Sequence, residues 1–137
     1  MCDDYAEIAL NGQVIAKCAA AGAPDGRLAR AKLVDLREGD IIAVRVINHG
    51  GPYGFASVVK LPSGESIATS TSTWKTFKPT KGTVWCDPEG FKSVKRAKGG
   101  TNHDWKGKVE SETGVACDSI WGEGNSTYVM LEIPRLR

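Results

Sequence analysis

A chain of 137 residues, 41% hydrophobic and 25% charged, has the length of about one domain and the composition of an ordinary globular protein, which excludes collagen-like, low-complexity and largely disordered classes. No apolar run approaches the ~18 residues that a membrane-spanning helix needs; the stretch from Ile41 to Ile47 is short and carries Arg45. Eighteen basic residues against 16 acidic ones leave a net charge of +2, too balanced to imply nucleic acid or a membrane surface as the partner.

Alternation of Ala6, Ile8 and Leu10 with Tyr5, Glu7 and Ala9 predicts a half-buried strand over Tyr5 to Leu10. Asn11-Gly12 tolerates the positive φ angles of a tight turn, so Gln13 to Lys17 is expected to return as the second arm of a hairpin. Cys18 to Arg30, rich in alanine and broken by Gly22, Pro24 and Gly26, reads as a long loop. Lys32 to Leu36 reads as a strand, Arg37-Glu38-Gly39-Asp40 as a turn, and Ile41 to Asn48 as an inner strand apolar on both faces. His49 to Tyr53 then separates that strand from Gly54 to Leu61, and the two are expected as neighbours at the centre of a sheet. Pro62-Ser63-Gly64 predicts a turn, Ser66 to Thr69 a short strand, and Thr71 to Phe77 has β-favouring composition. Gly82, Pro88, Gly90, Gly99, Gly100, Gly107, Gly114 and Gly122 break Lys78 to Gly124, which reads as irregular, and Thr127 to Ile133 alternates again as a closing strand. About eight short strands without an amphipathic helix or a repeat predict an all-β antiparallel sandwich, a single domain over 1–137, as the whole chain or as part of a longer one.

The four cysteines, Cys2, Cys18, Cys86 and Cys117, form no close pair of the kind zinc sites use. Two disulfides in any of three pairings and buried free thiols both remain open. Met1-Cys2-Asp3-Asp4 leads straight into the first strand with no secretory signal, so the expectation is an intracellular chain or a domain cut from a longer precursor. Lys75, Lys78, Lys81, Lys92, Lys95, Arg96, Lys98, Lys106 and Lys108 fall in one third of the chain with few acids between them. Such a run is a solvated loop surface or the seat of an anionic partner such as an acidic polysaccharide; no recognition helix or RNA-binding aromatic signature accompanies it, so no specific nucleic acid is expected.

Asp3 to Gly12 followed by Asp35 to Arg45 resembles the galactose-binding-like jelly-roll domains, and further pieces follow in the same order. Asn48-His49-Gly50-Gly51-Pro52-Tyr53-Gly54-Phe55-Ala56 is similar to their glycine-rich centre, Thr73-Trp74-Lys75 to their Ser/Thr-Trp-Lys, and Ile120-Trp121-Gly122 to their Pro-Trp-Gly. The resemblance implies a non-catalytic carbohydrate-binding, lectin-like module on an extracellular, cell or particle surface, with Trp74 and Trp121 in the core. It departs from the family in lacking a strand before Asp3, which would leave a sheet edge to be covered by an oligomer partner or by more of a parent chain.

Sugar recognition needs an aromatic plate for the apolar ring face and polar groups for the hydroxyls. Thr101-Asn102-His103-Asp104-Trp105 supplies both within five residues, and Tyr53 and Trp85, each in a loop, are the further stacking candidates. The blander reading makes Trp105 a plug and Asn102 and Asp104 turn formers. His49 reads as a turn residue. Structural calcium near Asp3, Asp4, Glu123 and Glu132 has no ordered acidic loop behind it, and no cofactor is expected. Adjacent His103 and Asp104 point apart in an extended segment and no G-x-S-x-G elbow exists, so no enzyme is expected. The alternative to a lectin is a structural module that packs against other subunits through a sheet edge and basic loops.

Overall fold

The computed structural model describes residues 5–19, 36–48, 50–101 and 104–135, of which residues 18, 19, 104 and 105 are described by backbone alone. In β1 (Tyr5–Leu10) Ala6, Ile8 and Leu10 turn to one side, and Asn11 and Gly12, at φ 48° and 89°, reverse the chain into β2 (Gln13–Ala19). Both turn residues lie in the left-handed region that an Asn-Gly hairpin turn requires. The Asn11 side chain also accepts from Ile41 N at 2.8 Å and donates to Asp40 Oδ1 at 3.1 Å, tying this hairpin to the start of β3 (Ile41–Ile47). Ile41 to Ile47 forms the expected inner strand, paired on one side with β1 and on the other with β10 (Ser126–Glu132). With β6 (Lys75–Pro79) and β7 (Phe91–Arg96) added, the strands make a six-stranded sheet in the order β2-β1-β3-β10-β6-β7, antiparallel throughout.

A second layer closes over one face of that sheet. It consists of the pair β4 (Val58–Lys60) with β5 (Ser66–Ala68) and the pair β8 (Lys98–Gly99) with β9 (Ile120–Trp121), with Phe55 bridging to Ile120. Between the layers lie Ile42, Val44, Val46, Val129 and Leu131 from the sheet and Phe55, Trp74, Ile120 and Trp121 from the other side. Phe55 meets Trp74 edge to face with centroids 5.6 Å apart, the geometry that aromatic quadrupoles favour. Trp74 and Trp121 are core residues, each 1% exposed. The fold is therefore all-β, an antiparallel β-sandwich, with ten strands and one helix among the described residues.

Several local expectations differ from the structure. Of Gly54 to Leu61 only Val58–Lys60 is strand, and β4 pairs with β5 in the second layer instead of lying beside β3. Burial explains the misreading, since Phe55, Ala56, Val59 and Leu61 are all buried whichever partner they take. Buried Leu36 is not in a strand, and 32–35 lie outside the described residues, as does 20–30 of the expected long loop. β1 is not an edge, being flanked by β2 and β3, and among the described residues the sheet edges are β2 and β7. The region expected as irregular contains β7, β8, β9 and a helix, α1 (Asp104–Thr113). That helix carries a glycine at its middle and buries Val109 against Ala56, too narrow an apolar stripe to stand out in the sequence.

Candidate functional site

The face of the large sheet turned away from the main core is partly covered by the β6–β7 connection, residues 80–90. Its floor is made of two small residues, Ala9 and Ala43, and the flexible Met130, which let the connection lie close. Cys86, 1% exposed, donates from Sγ to Gly12 O at 3.2 Å, so the connection reaches across the sheet to the β1–β2 turn. Burial pushes the Cys86 thiol above its ordinary pKa, and among the described residues both Cys86 and Cys117 are free thiols. A run of rings follows the same path. Phe91 stacks on Phe77 at 3.7 Å, Phe77 meets Tyr128 at 5.6 Å, and Tyr128 meets Trp85 at 6.1 Å.

Tyr128 stands where two strands part. β10 pairs with β3 all the way down to Ser126, but with β6 only at Val129–Thr76 and Met130–Lys75. Where that ladder stops, a cleft of about 240 Å³ opens, lined by Thr76, Phe77, Lys78, Ser93, Lys95, Glu123, Ser126, Thr127 and Tyr128. The turn before β10 holds its rim. Gly122 is packed so closely on Thr76 and Thr127 that a Cβ would overlap the Thr127 hydroxyl and come within 2.5 Å of Thr76 Oγ1. Thr127 Oγ1 accepts from Glu123 N at 3.1 Å, and Thr76 Oγ1 donates to Tyr128 O at 2.9 Å. Glu123 is thereby aimed at the cleft, where it meets Lys95 Nζ at 2.6 Å and Lys78 Nζ at 3.8 Å. The hydrogen bond from Lys95, then the charges of Lys95 and Lys78, hold the Glu123 carboxyl below its ordinary pKa. Two lysines, a glutamate, Ser93, Ser126 and Tyr128 thus border a space for one small ring, with the Tyr128 ring itself against Phe77 and Trp85.

Of the residues proposed from sequence, Trp85 belongs to this neighbourhood through Tyr128. Tyr53 does not, because it packs against the main core on the opposite face of the sheet, 5.1 Å from the Trp121 ring, with Lys98 Nζ 5.9 Å from its own centroid. Its backbone exchanges two bonds with Thr101, from Thr101 N to Tyr53 O at 2.8 Å and from Tyr53 N to Thr101 Oγ1 at 3.0 Å. Tyr53 therefore stands where the 102–105 segment begins. Asn102 and His103 lie outside the described residues, as does His49; Asp104 and Trp105 form the first turn of α1 and not a loop. Glu123 and Glu132 flank opposite ends of β10, so they do not share a cation site, and Asp3 and Asp4 lie outside the described residues. Among the described residues no helix is long and apolar enough to cross a membrane.

Lys78 and Lys95 were named from sequence only within the basic run and Glu123 only among the calcium candidates, while Ser126 and Tyr128 were not candidates for a binding site. Two signals pointed at them, the clustered lysines and Tyr128 on the outward side of the last strand's alternation. The parting of β6 from β10, which makes them a site, has no sequence signature. The chain matches no protein-family model, no curated protein and no solved structure.

Proposed function

We propose that this chain is a non-catalytic carbohydrate-binding module of jelly-roll, galactose-binding-like type, which seats one sugar ring of a glycan in the cleft beside Tyr128. The observation that carries the reading is a cleft at Tyr128 whose rim carries Lys78, Lys95, Glu123, Ser93 and Ser126. A pyranose offers an apolar face to a ring and hydroxyls at its edge to such donors and acceptors. A cleft of about 240 Å³ lies below the ~300–1,000 Å³ usual for drug-sized ligands, which suits one ring of a longer chain. Trp85 buttresses Tyr128 in this arrangement. Affinity from one seat would be modest, so avidity would come from a homo-oligomer or repetition in a parent chain on an extracellular, cell or particle surface. A glycan array of the purified chain tests the reading, followed by titration of the best glycan. Trp85→Ala and Tyr128→Leu should weaken saturable binding at least about tenfold, and Tyr128→Phe should retain it. Loss on Tyr53→Ala with Trp85→Ala unchanged would move the seat to the end of the sandwich at Tyr53 and Thr101.

A structural role in an assembly is the second reading, and one observation favours it. The edge strand β2 exposes Val14 and Ile15, 37% and 38% accessible, and an apolar edge invites a second chain. Concentration-dependent mass in light scattering that Val14→Lys abolishes would support it.

A further inference from the structure

The cations beside the cleft are arranged more tightly than protection of an edge requires. Lysines on an edge strand keep it from pairing with other chains, which would account for charge on β7. β6 is not an edge, since it lies between β10 and β7, yet it carries Lys75 opposite Arg96 and Lys78 opposite Lys92. Residues directly opposite in an antiparallel ladder share a face, and like charges there weaken the pairing. Two such pairs in one short ladder are a local conflict of the kind that marks functional positions.

The backbone adds a second observation. The β6–β7 register shifts between Thr76 and Lys78, where Ser93 takes a positive φ of 54°. Lys95 lies opposite Thr76 and Lys92 opposite Lys78, so this bulge turns two lysines three residues apart onto one face. In a regular strand they would point to opposite sides. Lys78 and Lys95 thus line the cleft, Lys92 stands on their face opposite Lys78, and Glu123 is the only acid among the described lining residues; three ammonium groups less one carboxylate leave two positive charges in excess.

We infer that the glycan of the preceding reading, on which this rests, is acidic: its carboxylate or sulfate groups lie over Lys78, Lys92 and Lys95 while a ring enters the cleft at Tyr128. The single-ring cleft and its hydroxyls favour a glycan over nucleic acid, whose unspecific recognition uses a track of several stacking rings along a basic groove.

The test is calorimetric titration of the intact chain with heparin, with polygalacturonate, with uncharged dextran and with a single-stranded oligonucleotide, at low and at high salt. Saturable binding of heparin identifies a sulfate ligand and of polygalacturonate a carboxylate one; either supports the inference. The double variant Lys78→Gln/Lys92→Gln should then weaken binding at least about tenfold. Lys17→Gln/Lys60→Gln, which removes the same charge from β2 and β4, should leave it unchanged. Glu123→Gln, which releases Lys95 and Lys78, should strengthen binding, a gain that misfolding cannot mimic. Equal weakening by both double variants, a fall in affinity on Glu123→Gln, or tighter binding of the oligonucleotide would overturn the inference. Binding of uncharged glycan alone would overturn it while the carbohydrate reading stands, and silence on every glycan would overturn both.

Discussion

Gly122 shows how one missing side chain positions the cleft. Its Cα lies against Thr76 and Thr127, so the turn that carries Glu123 can sit directly over the parting of β6 and β10. Alanine there must displace backbone or two buried hydroxyl-bearing residues, and overpacking of this kind costs roughly 1–3 kcal/mol. Gly122→Ala should therefore lower stability in urea titration by that amount and also loosen the Lys95–Glu123 contact. Asp40 is the other residue with a readable consequence. It accepts from Arg37 N at 2.8 Å and from Asn11 Nδ2 at 3.1 Å, and these bonds, the backbone one first, hold its carboxyl below the ordinary value. A carboxyl lowered in the folded state contributes stability that is complete above the ordinary aspartate pKa and is lost as pH falls through the lowered one. Asp40→Asn should remove that pH dependence, so melting curves of the two proteins should differ most near neutrality and converge in acid. The group is largely solvated, and salt should shrink the difference.

Among the elements, those with local chemistry were legible in the sequence and those with tertiary causes were not. Asn11-Gly12 fixed a hairpin because only residues tolerant of positive φ serve there, and alternation fixed β1 and β10 because each has one face on the main core. Asn48 is likewise explained by its own turn: 5% exposed, it accepts from Gly50 N at 3.1 Å and donates to Gly51 O at 3.2 Å. β7 was missed because five of its six residues are exposed, Val94 among them, so its pattern is set by being an edge and not by a core. Helix α1 was missed because Val109 is its one fully buried side chain among those described, although Gly114, at φ 73°, is a helix stop readable after the fact. The site followed the same rule. Trp85 could be picked as a loop aromatic, whereas Tyr128 and Glu123 became partners only through a ladder that ends two pairs after it begins.

Across the whole molecule, the two aromatic neighbourhoods proposed from sequence lie on opposite sides of one sheet. Tyr53 shares the main core with Trp121, and Trp85 shares the smaller core under the β6–β7 connection. They cannot form one surface, so single-residue variants at the two places report on separate events and should be additive in stability.

The short β6–β10 ladder also divides the molecule dynamically. β3 is held on both sides along its length, whereas β6 and β7 join the sheet's ladder through two residue pairs only, helped by the Thr76 and Lys95 side-chain bonds and the buried contacts of the 80–90 connection. Such a hairpin can open as a unit at a free energy below that of global unfolding. Amide hydrogens of Lys92 to Arg96 should exchange well before those of Ala43 to Val46, a difference that exchange followed by mass spectrometry would resolve. A ligand wedged between Tyr128 and Lys78 would span the seam and slow exchange in the hairpin selectively, so occupancy of the cleft could be followed without any label on the ligand.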